Sequence, residues 1–482
     1  MAADQKAMFI NGTWCAAATG DTFEAVSPAT GEAFASIPKG GRADAQRAIA
    51  AARAGQVGWA KQSAFERAAA MERIGAVIHE RRGALALALS EDQGKPIAEA
   101  REEVDELLGY FKMAAADATR LEGMILPSLD AHKRVLVYRV PRGVVSVITP
   151  WNWPYTMAGE IIAPALAAGN AVVWNPASNT SACSIEMARC LADADLPAGV
   201  FNMVTGPGRE VGDEIAGHRH VGAVGFIGSV EAGKKVATRA AGKDMLLELG
   251  GNGPIVVLDD ADLDAAVEAT LTACFLNAGQ SCTAGERILV QRAVHDAYVA
   301  KLGAAVAARI RVGNPADEAT TMGPVNNEAQ AAKTDAHVQD AIGRGAHLVT
   351  GGRRAPGFPT ALYYEPTVLT GITEAMEIAR DETFGPVAPV TLIESEDDAL
   401  RIVNDSSFGL LAGVFTRDLG RGLRFAESVR TGWVNINEGT NYWESHLPFG
   451  GGAGADSGVG RVGGRFSMER LTELKTVVVN LG

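Results

Sequence analysis

The stretch RGVVSVITPWNWPYTMAGEIIAPALAAGNAVVWNP, residues 142–176, decides the fold. Its first part, RGVVSVITP, is an apolar run rich in β-branched residues and reads as a buried strand. MAGEIIAPALAAG reads as a helix, and NAVVWNP as a second buried strand. Two continuous apolar strands joined by a helix form a βαβ unit. Its strands lie parallel and are covered on both faces.

The alternation continues toward the C-terminus. TSACSIEMARCLADADLP is a helix and VFNMVTG a strand; REVGDEIAGH is a helix and VGAVGFIGS a strand; VEAGKKVATRAAG is a helix and DMLLELGG a strand. It restarts near Pro254 with PIVVLDDADLDAAVEATLTACFLNAG, then ERILVQ, then AVHDAYVAKLGAAVAARI. The pattern predicts an α/β chain with two doubly wound parallel-sheet domains. Upstream, MFINGTW reads as a hairpin turning at Asn11-Gly12. Residues 42–120 read as several helices punctuated by Gly58, Gly83 and Gly94-Lys95-Pro96. The terminal LTELKTVVVNLG and the run KRVLVYRV, from Lys133 to Val140, read as edge strands in need of partners.

Composition excludes several classes. With 482 residues the chain is too long for one core. Its 47% hydrophobic and 21% charged residues are ordinary globular values, which argues against disorder. A formal net charge of −13 argues against nucleic acid or an anionic membrane as partner. Five cysteines without a CxxC pair suit a reducing compartment. Eight scattered histidines show no HxxxH or HExxH spacing, so no metal is expected. The N-terminus has no basic segment followed by an apolar one, and no apolar run approaches 18 residues. A cytoplasmic location is the expectation.

Four stretches stand apart from packing logic. TPWNWP follows the first strand of the quoted unit, where doubly wound sheets bind ligands. Asn152 there can donate an amide N–H; its ordinary reading is a turn residue. GFIGSVEAG, between strand and helix, can bring backbone N–H groups to a phosphate, although a plain tight turn is the commoner reading. In LELGGNGP, Glu248 sits between leucines, where burial raises a carboxyl pKa toward that of a neutral-pH base; pairing with a cation is the plainer reading. RDETFGP places Glu382 before Phe384. A fifth stretch, LNAGQSCTAGERI, surrounds Cys282 with glycine and small polar residues. An inert core cysteine prefers apolar packing, so this one reads as accessible.

PWNWP, PALAAGN, GFIGS, LELGGNGP, GQSCTAGERI, ETFGP, NINEGTNYWESHLPFGG and SGVGR together, in this order, resemble the aldehyde dehydrogenase superfamily over essentially the whole chain. The resemblance implies an NAD(P)-dependent, hydrolytic enzyme in which Cys282 is the nucleophile. Asn152 and the Cys282 backbone N–H would hold the oxyanion, and Glu248 would activate the hydrolytic water. That glutamate argues against the acylating relatives. The resemblance implies residues 1–120 and 141–250 as the Rossmann-like NAD(P)-binding domain and 251–436 as the catalytic domain. Segments 121–140 and 437–482 would form a small β oligomerisation extension joining a homodimer or homotetramer.

Around the cofactor the resemblance implies Thr149, Pro150 and Trp151 after the first strand, Gly228 and Ser229 at the pyrophosphate, and Leu249. Glu382 would meet the nicotinamide ribose, and Phe384 would pack near the ring. The usual lysine and glutamate at the adenosine ribose are replaced by Asn175 and Ser178. The first change removes a phosphate-holding cation and the second a phosphate-repelling charge. With Arg209 as a substitute cation, use of both NAD and NADP is the expectation. The aldehyde would face Trp153, Leu276, Trp443 and Phe449, with Asn441 and Tyr442 on the same loop. These aromatic surfaces predict an aromatic or medium-size neutral aldehyde, with a semialdehyde or aminoaldehyde as alternative. No clamp for a succinate-like carboxylate is evident. Glu160, Glu99 and Glu103 would repel acidic substrates if they flank the entrance; solvated helix faces are their more ordinary reading. A non-catalytic binding protein on the same fold is the rival of another class. The intact set of Cys282, Glu248 and Asn152 argues against it.

Overall fold

In the N-terminal hairpin, Asn11 and Gly12 both adopt left-handed conformations, φ 55° and 77°. That geometry matches the twist of the flanking strands, Met8–Ile10 and Thr13–Cys15. The computed structural model describes residues 4–482. Four helices follow: α1 (Arg42–Trp59), α2 (Ala64–Glu80), α3 (Arg82–Gln93) and α4 (Ile97–Ala118). A capping box between Ser63 and Glu66 starts α2. Gly94, left-handed at φ 97°, ends α3.

The strand Val144–Thr149 is buried at every residue and lies at the centre of an eight-stranded sheet. Ala171–Pro176 pairs with it in parallel on one side and Ala223–Ile227 on the other. Phe201–Met203 and Asp244–Glu248 extend the parallel set. The N-terminal hairpin and the short strand Gly458–Val459 close the two edges in antiparallel sense. Strand order therefore reverses between Val144–Thr149 and Ala223–Ile227, the kind of switch point where open sheets bind ligands. The crossover helices are α5 (Pro154–Ala167), α6 (Ser181–Ala192), α7 (Val211–Gly217) and α8 (Val230–Arg239). Every residue of α5 is buried, because the sheet covers one side and α4 the other.

A second, seven-stranded sheet begins with Gly253–Val257, which pairs in parallel with Gly285–Gln291 and Leu411–Phe415. Its strands are parallel except the edge strand His347–Thr350. Helices α9 (Leu263–Phe275), α10 (Arg292–Arg309) and α11 (Glu328–Gly343) belong to this half. Both expected doubly wound sheets are present.

The two strands that read as unpaired edges pair with each other within one chain. Thr472–Asn480 runs antiparallel to Lys133–Pro141 along its full length, with Met124–Leu126 on the far side. This three-stranded sheet leaves Ile125, Tyr138, Leu474 and Val478 exposed. Among the described residues, no helix is long and apolar enough to cross a membrane.

Candidate active site

Cys282 lies between α9 and the strand Gly285–Gln291, in a loop with an unusual start. Asn277, Ala278 and Gly279 are successively left-handed, at φ 50°, 54° and 73°. Two non-glycine residues in that region carry strain that surrounding contacts must hold. The holding contacts are explicit. The Asn277 N–H donates to Glu99 Oε2 at 2.9 Å. The Asn277 amide donates to the Asn152 carbonyl at 2.9 Å, and the Asn152 amide donates to the Gln280 carbonyl at 3.1 Å. The Asn152 side chain is thereby tied to the cysteine loop.

The glycine-rich setting of Cys282 reads as accessible, yet the residue is only 8% exposed. The reason is packing. A Cβ on Gly251 would fall 2.0 Å from the Cys282 carbonyl oxygen, so that glycine lets the LELGG turn close over the loop. Cys282 is reached instead through two cavities of about 210 Å³ each, and it lines both. The first is also walled by Trp153, Leu276, Asn441, Tyr442, Trp443 and Phe449. The second is also walled by Pro150, Trp151, Asn152, Gly228, Ser229, Glu248, Leu249, Glu382 and Phe384.

Glu248 ends the strand Asp244–Glu248 and is 2% exposed. Among the described residues no cation pairs with it. Burial raises its pKa well above the ordinary carboxylate value, although contact with the Cys282 thiol opposes this. Its Oε1 is buried without a hydrogen-bond partner. Burial, and then the adjacent Glu248, likewise raise the Cys282 thiol well above its usual value. A buried thiol beside an unpartnered carboxyl oxygen is an arrangement in which a proton can pass from sulfur to oxygen. The Cys282 backbone N–H makes no hydrogen bond with any described residue.

The second cavity offers features that a phosphate-bearing ligand would use. Ser229 caps α8, its Oγ accepting from the Ala232 N–H, so the helix N-terminus faces the groove. Gly250 keeps the floor open, since a Cβ there would lie 3.0 Å from the Glu382 carboxylate. Glu382 accepts the Gly251 N–H at 2.9 Å, and burial raises it to about 7. The rings of Trp151 and Phe384 meet edge to face at 5.6 Å. Farther out, Arg209 lines the cavity beneath α7 and α8 and is largely exposed.

Some expected residues sit elsewhere. Thr149 is buried beneath the groove, its Oγ1 accepting from the Trp174 indole at 2.9 Å. Asn175 is buried with its amide given to the Val204 carbonyl at 2.9 Å. Ser178 opens a short 3-10 turn. Solvated faces are not the fate of the three glutamates. Glu99, Glu103 and Glu160 are 9%, 0% and 4% exposed, because α4 packs its glutamate-bearing face against α5 and the cysteine loop. Glu103 pairs with buried Lys95 and accepts the Tyr155 N–H at the start of α5. Only Glu160 of the three lines the substrate-side cavity. Sequence reading missed Glu102, Glu106 and Glu438 in that cavity and Lys333 in the other. Glu438 lies inside a quoted motif, but nothing local shows which way it faces.

The aldehyde dehydrogenase family model matches residues 14–477. A 3-sulfolactaldehyde dehydrogenase of Pseudomonas putida is 40% identical over 97% of this chain and 96% of its own. An NADP(+) succinate-semialdehyde dehydrogenase of Escherichia coli is 37% identical over 98% and 97%. The crystal structure of a succinate-semialdehyde dehydrogenase from Burkholderia pseudomallei superposes with a TM-score of 0.96 at 40% identity, covering 98% of each chain.

Proposed function

Because the chain belongs to the aldehyde dehydrogenase family, we propose that it oxidises an aldehyde to the carboxylic acid with NAD or NADP, through a thioester on Cys282. One observation carries this reading: Cys282, with Glu248 against its thiol and Asn152 tied to its loop, is where the two cavities meet. The substrate enters through one cavity and the dinucleotide occupies the other.

In the proposed reaction the Cys282 proton passes to Glu248 and the sulfur attacks the aldehyde carbon. The free amide hydrogen of Asn152 and the unpaired Cys282 N–H hold the oxygen as it gains charge. When bound, the nicotinamide supplies the acceptor for the hydride that leaves the adduct. Glu248 first gives the thiol's proton up to solvent and then takes a proton from water, which attacks the thioester carbonyl; the carbon–sulfur bond breaks, the sulfur recovers that proton from Glu248, and the acid departs. Pro150, Trp151, Gly228, Ser229, Leu249, Glu382 and Phe384 would hold the dinucleotide. Arg209 is the cation nearest in role to a 2′-phosphate clamp, which supports use of NADP as well as NAD. The lobe built on the eight-stranded sheet would bind the dinucleotide, and the lobe built on the second sheet supplies Cys282. The apolar face of the three-stranded sheet supports a homodimer or homotetramer, which sedimentation would detect.

The aromatic-aldehyde expectation gives way to the alternative. Both named relatives and the solved neighbour are named for short aldehydes with an acidic tail, which favours a charged-tail aldehyde over an aromatic one; the carboxyls bordering the cavity bear on the sign of that tail. Glu248→Gln tests the reaction. A burst of NADH or NADPH of about one equivalent per site is expected, slower than in the wild type because the thiol has lost its proton acceptor, followed by turnover slowed much further. Loss of the burst itself would refute the hydrolytic role of Glu248.

A further inference from the structure

The cavity leading to Cys282 is lined by four carboxyl groups. Glu160 lines it from α5, Glu102 and Glu106 from α4, and Glu438 from the loop after the strand Trp433–Ile436; among the described residues no lysine or arginine lines it. The cation that comes near, Lys95, lies behind the wall. It is fully buried, with its Nζ 3.5 Å from the Trp153 ring centroid, and it is committed to Glu103.

Two of the four carboxylates lack a charged partner in places where a partner is needed. Glu160 is 4% exposed, and its one hydrogen bond among the described residues is from the Tyr110 hydroxyl at 3.3 Å. Glu106 accepts the Thr156 hydroxyl at 2.7 Å. Burial raises Glu160 to about 8 and Glu106 to about 7. A carboxylate removed from water without a counter-ion is costly, and a cation delivered by a ligand offsets that cost. An anionic tail in the same space would add to it. Trp153, Trp443 and Phe449 offer ring surface beside the carboxylates, which suits alkylammonium groups.

We propose that this site selects aldehydes with a cationic tail, ω-aminoaldehydes or quaternary-ammonium aldehydes, and disfavours the acid semialdehydes for which the relatives are named. Glu160 and Glu106 are the residues that set this choice. The inference rests on the reading of Cys282 as the nucleophile of aldehyde oxidation. It departs from the relatives because charge along the tunnel, not family membership, decides the sign of the tail that enters.

The test is a kcat/KM series on the purified full chain with four aldehydes: 3-aminopropanal, 4-(trimethylammonio)butanal, its neutral isostere 5,5-dimethylhexanal, and succinic semialdehyde. Each is run with NAD and with NADP. The cationic aldehydes are expected to exceed succinic semialdehyde by at least about thirtyfold, and the neutral isostere by about threefold or more, the scale of a few partly screened charge interactions. In the double variant Glu106→Gln/Glu160→Gln the cation-to-neutral ratio is expected to fall at least about threefold, toward unity, mainly through KM. If the neutral isostere is oxidised but succinic semialdehyde matches or beats the cations in the wild-type protein, the charge proposal is overturned and the oxidative function stands. A cation-to-neutral ratio unmoved by the double variant overturns the assignment to these two residues. Oxidation of none of the four overturns the functional reading and this inference with it.

Discussion

Replacing Glu99 with leucine tests how the cysteine loop is held. The carboxyl of Glu99, in the first turn of α4, accepts the N–H of Asn277 at 2.9 Å. Asn277 and Ala278 are the strained, left-handed residues that precede Cys282. Removing the acceptor leaves a buried N–H unpaired, which costs about 1–3 kcal/mol. The left-handed pair stores a further strain of order 1 kcal/mol per residue or more, which the loop can release by moving. Movement there carries Asn152 and Cys282 with it, because Asn277 and Asn152 both hydrogen-bond into this loop. A displacement near 1 Å at reacting groups can cost about a hundredfold in rate. Glu99→Leu is therefore expected to lower kcat at least about tenfold and to lower the urea midpoint of unfolding, with the KM for the dinucleotide nearly unchanged. Burial raises Glu99 to about 8, so its carboxyl is mostly neutral at pH 7. Glu99→Gln keeps a neutral carbonyl acceptor in the same place and should stay within about threefold of wild-type kcat. Steady-state kinetics and urea unfolding read out both variants. Wild-type kcat in the leucine variant, or equal damage in the glutamine variant, would refute the argument.

Cys282→Ala should abolish NAD(P)H production while circular dichroism and dinucleotide binding remain; measurable turnover would remove the cysteine from the mechanism. Arg209→Ala should raise the KM for NADP by about two- to fivefold, the size of an exposed ion pair, and leave that for NAD alone; an unchanged NADP value excludes Arg209 from the 2′-phosphate. Stability should also fall as pH rises. Glu99, Glu160 and Glu286 are each held by burial near 8, above the ordinary value of 4.5. The folded chain keeps protons that the unfolded chain releases between those values, so this contribution is full below about pH 4.5 and lost as pH passes about 8. Urea midpoints should drop between about pH 6 and pH 9, and Glu160→Gln should flatten the drop; a slope equal to wild type would show that Glu160 does not carry its share.

The alternation of apolar strands and helices from residue 142 onward was enough to determine two parallel sheets, because β-branched runs and helical periodicity are local properties of the chain. Asn11-Gly12 likewise specified its hairpin, since both residues tolerate the left-handed geometry the turn needs. The order of the motifs singled out Cys282, Glu248 and Asn152 as candidates. Only the tertiary structure brought them together, across sequence separations of up to 130 residues that no local pattern records. It also decided burial. Glu99, Glu103 and Glu160 look like solvated helix residues until α4 packs on α5, and Cys282 looks open until Gly251 allows the LELGG turn to close over it. Glu102, Glu106 and Glu438 carry no signal of their own; they line the tunnel because two lobes bring α4, α5 and the 437–443 loop to one place. The strands Lys133–Pro141 and Thr472–Asn480 announced unpaired edges, but which edge each would find depended on a chain closure spanning more than 330 residues. Periodicity is encoded residue by residue; which faces meet, and what charge they enclose, is settled only when distant elements compete for the same buried surface.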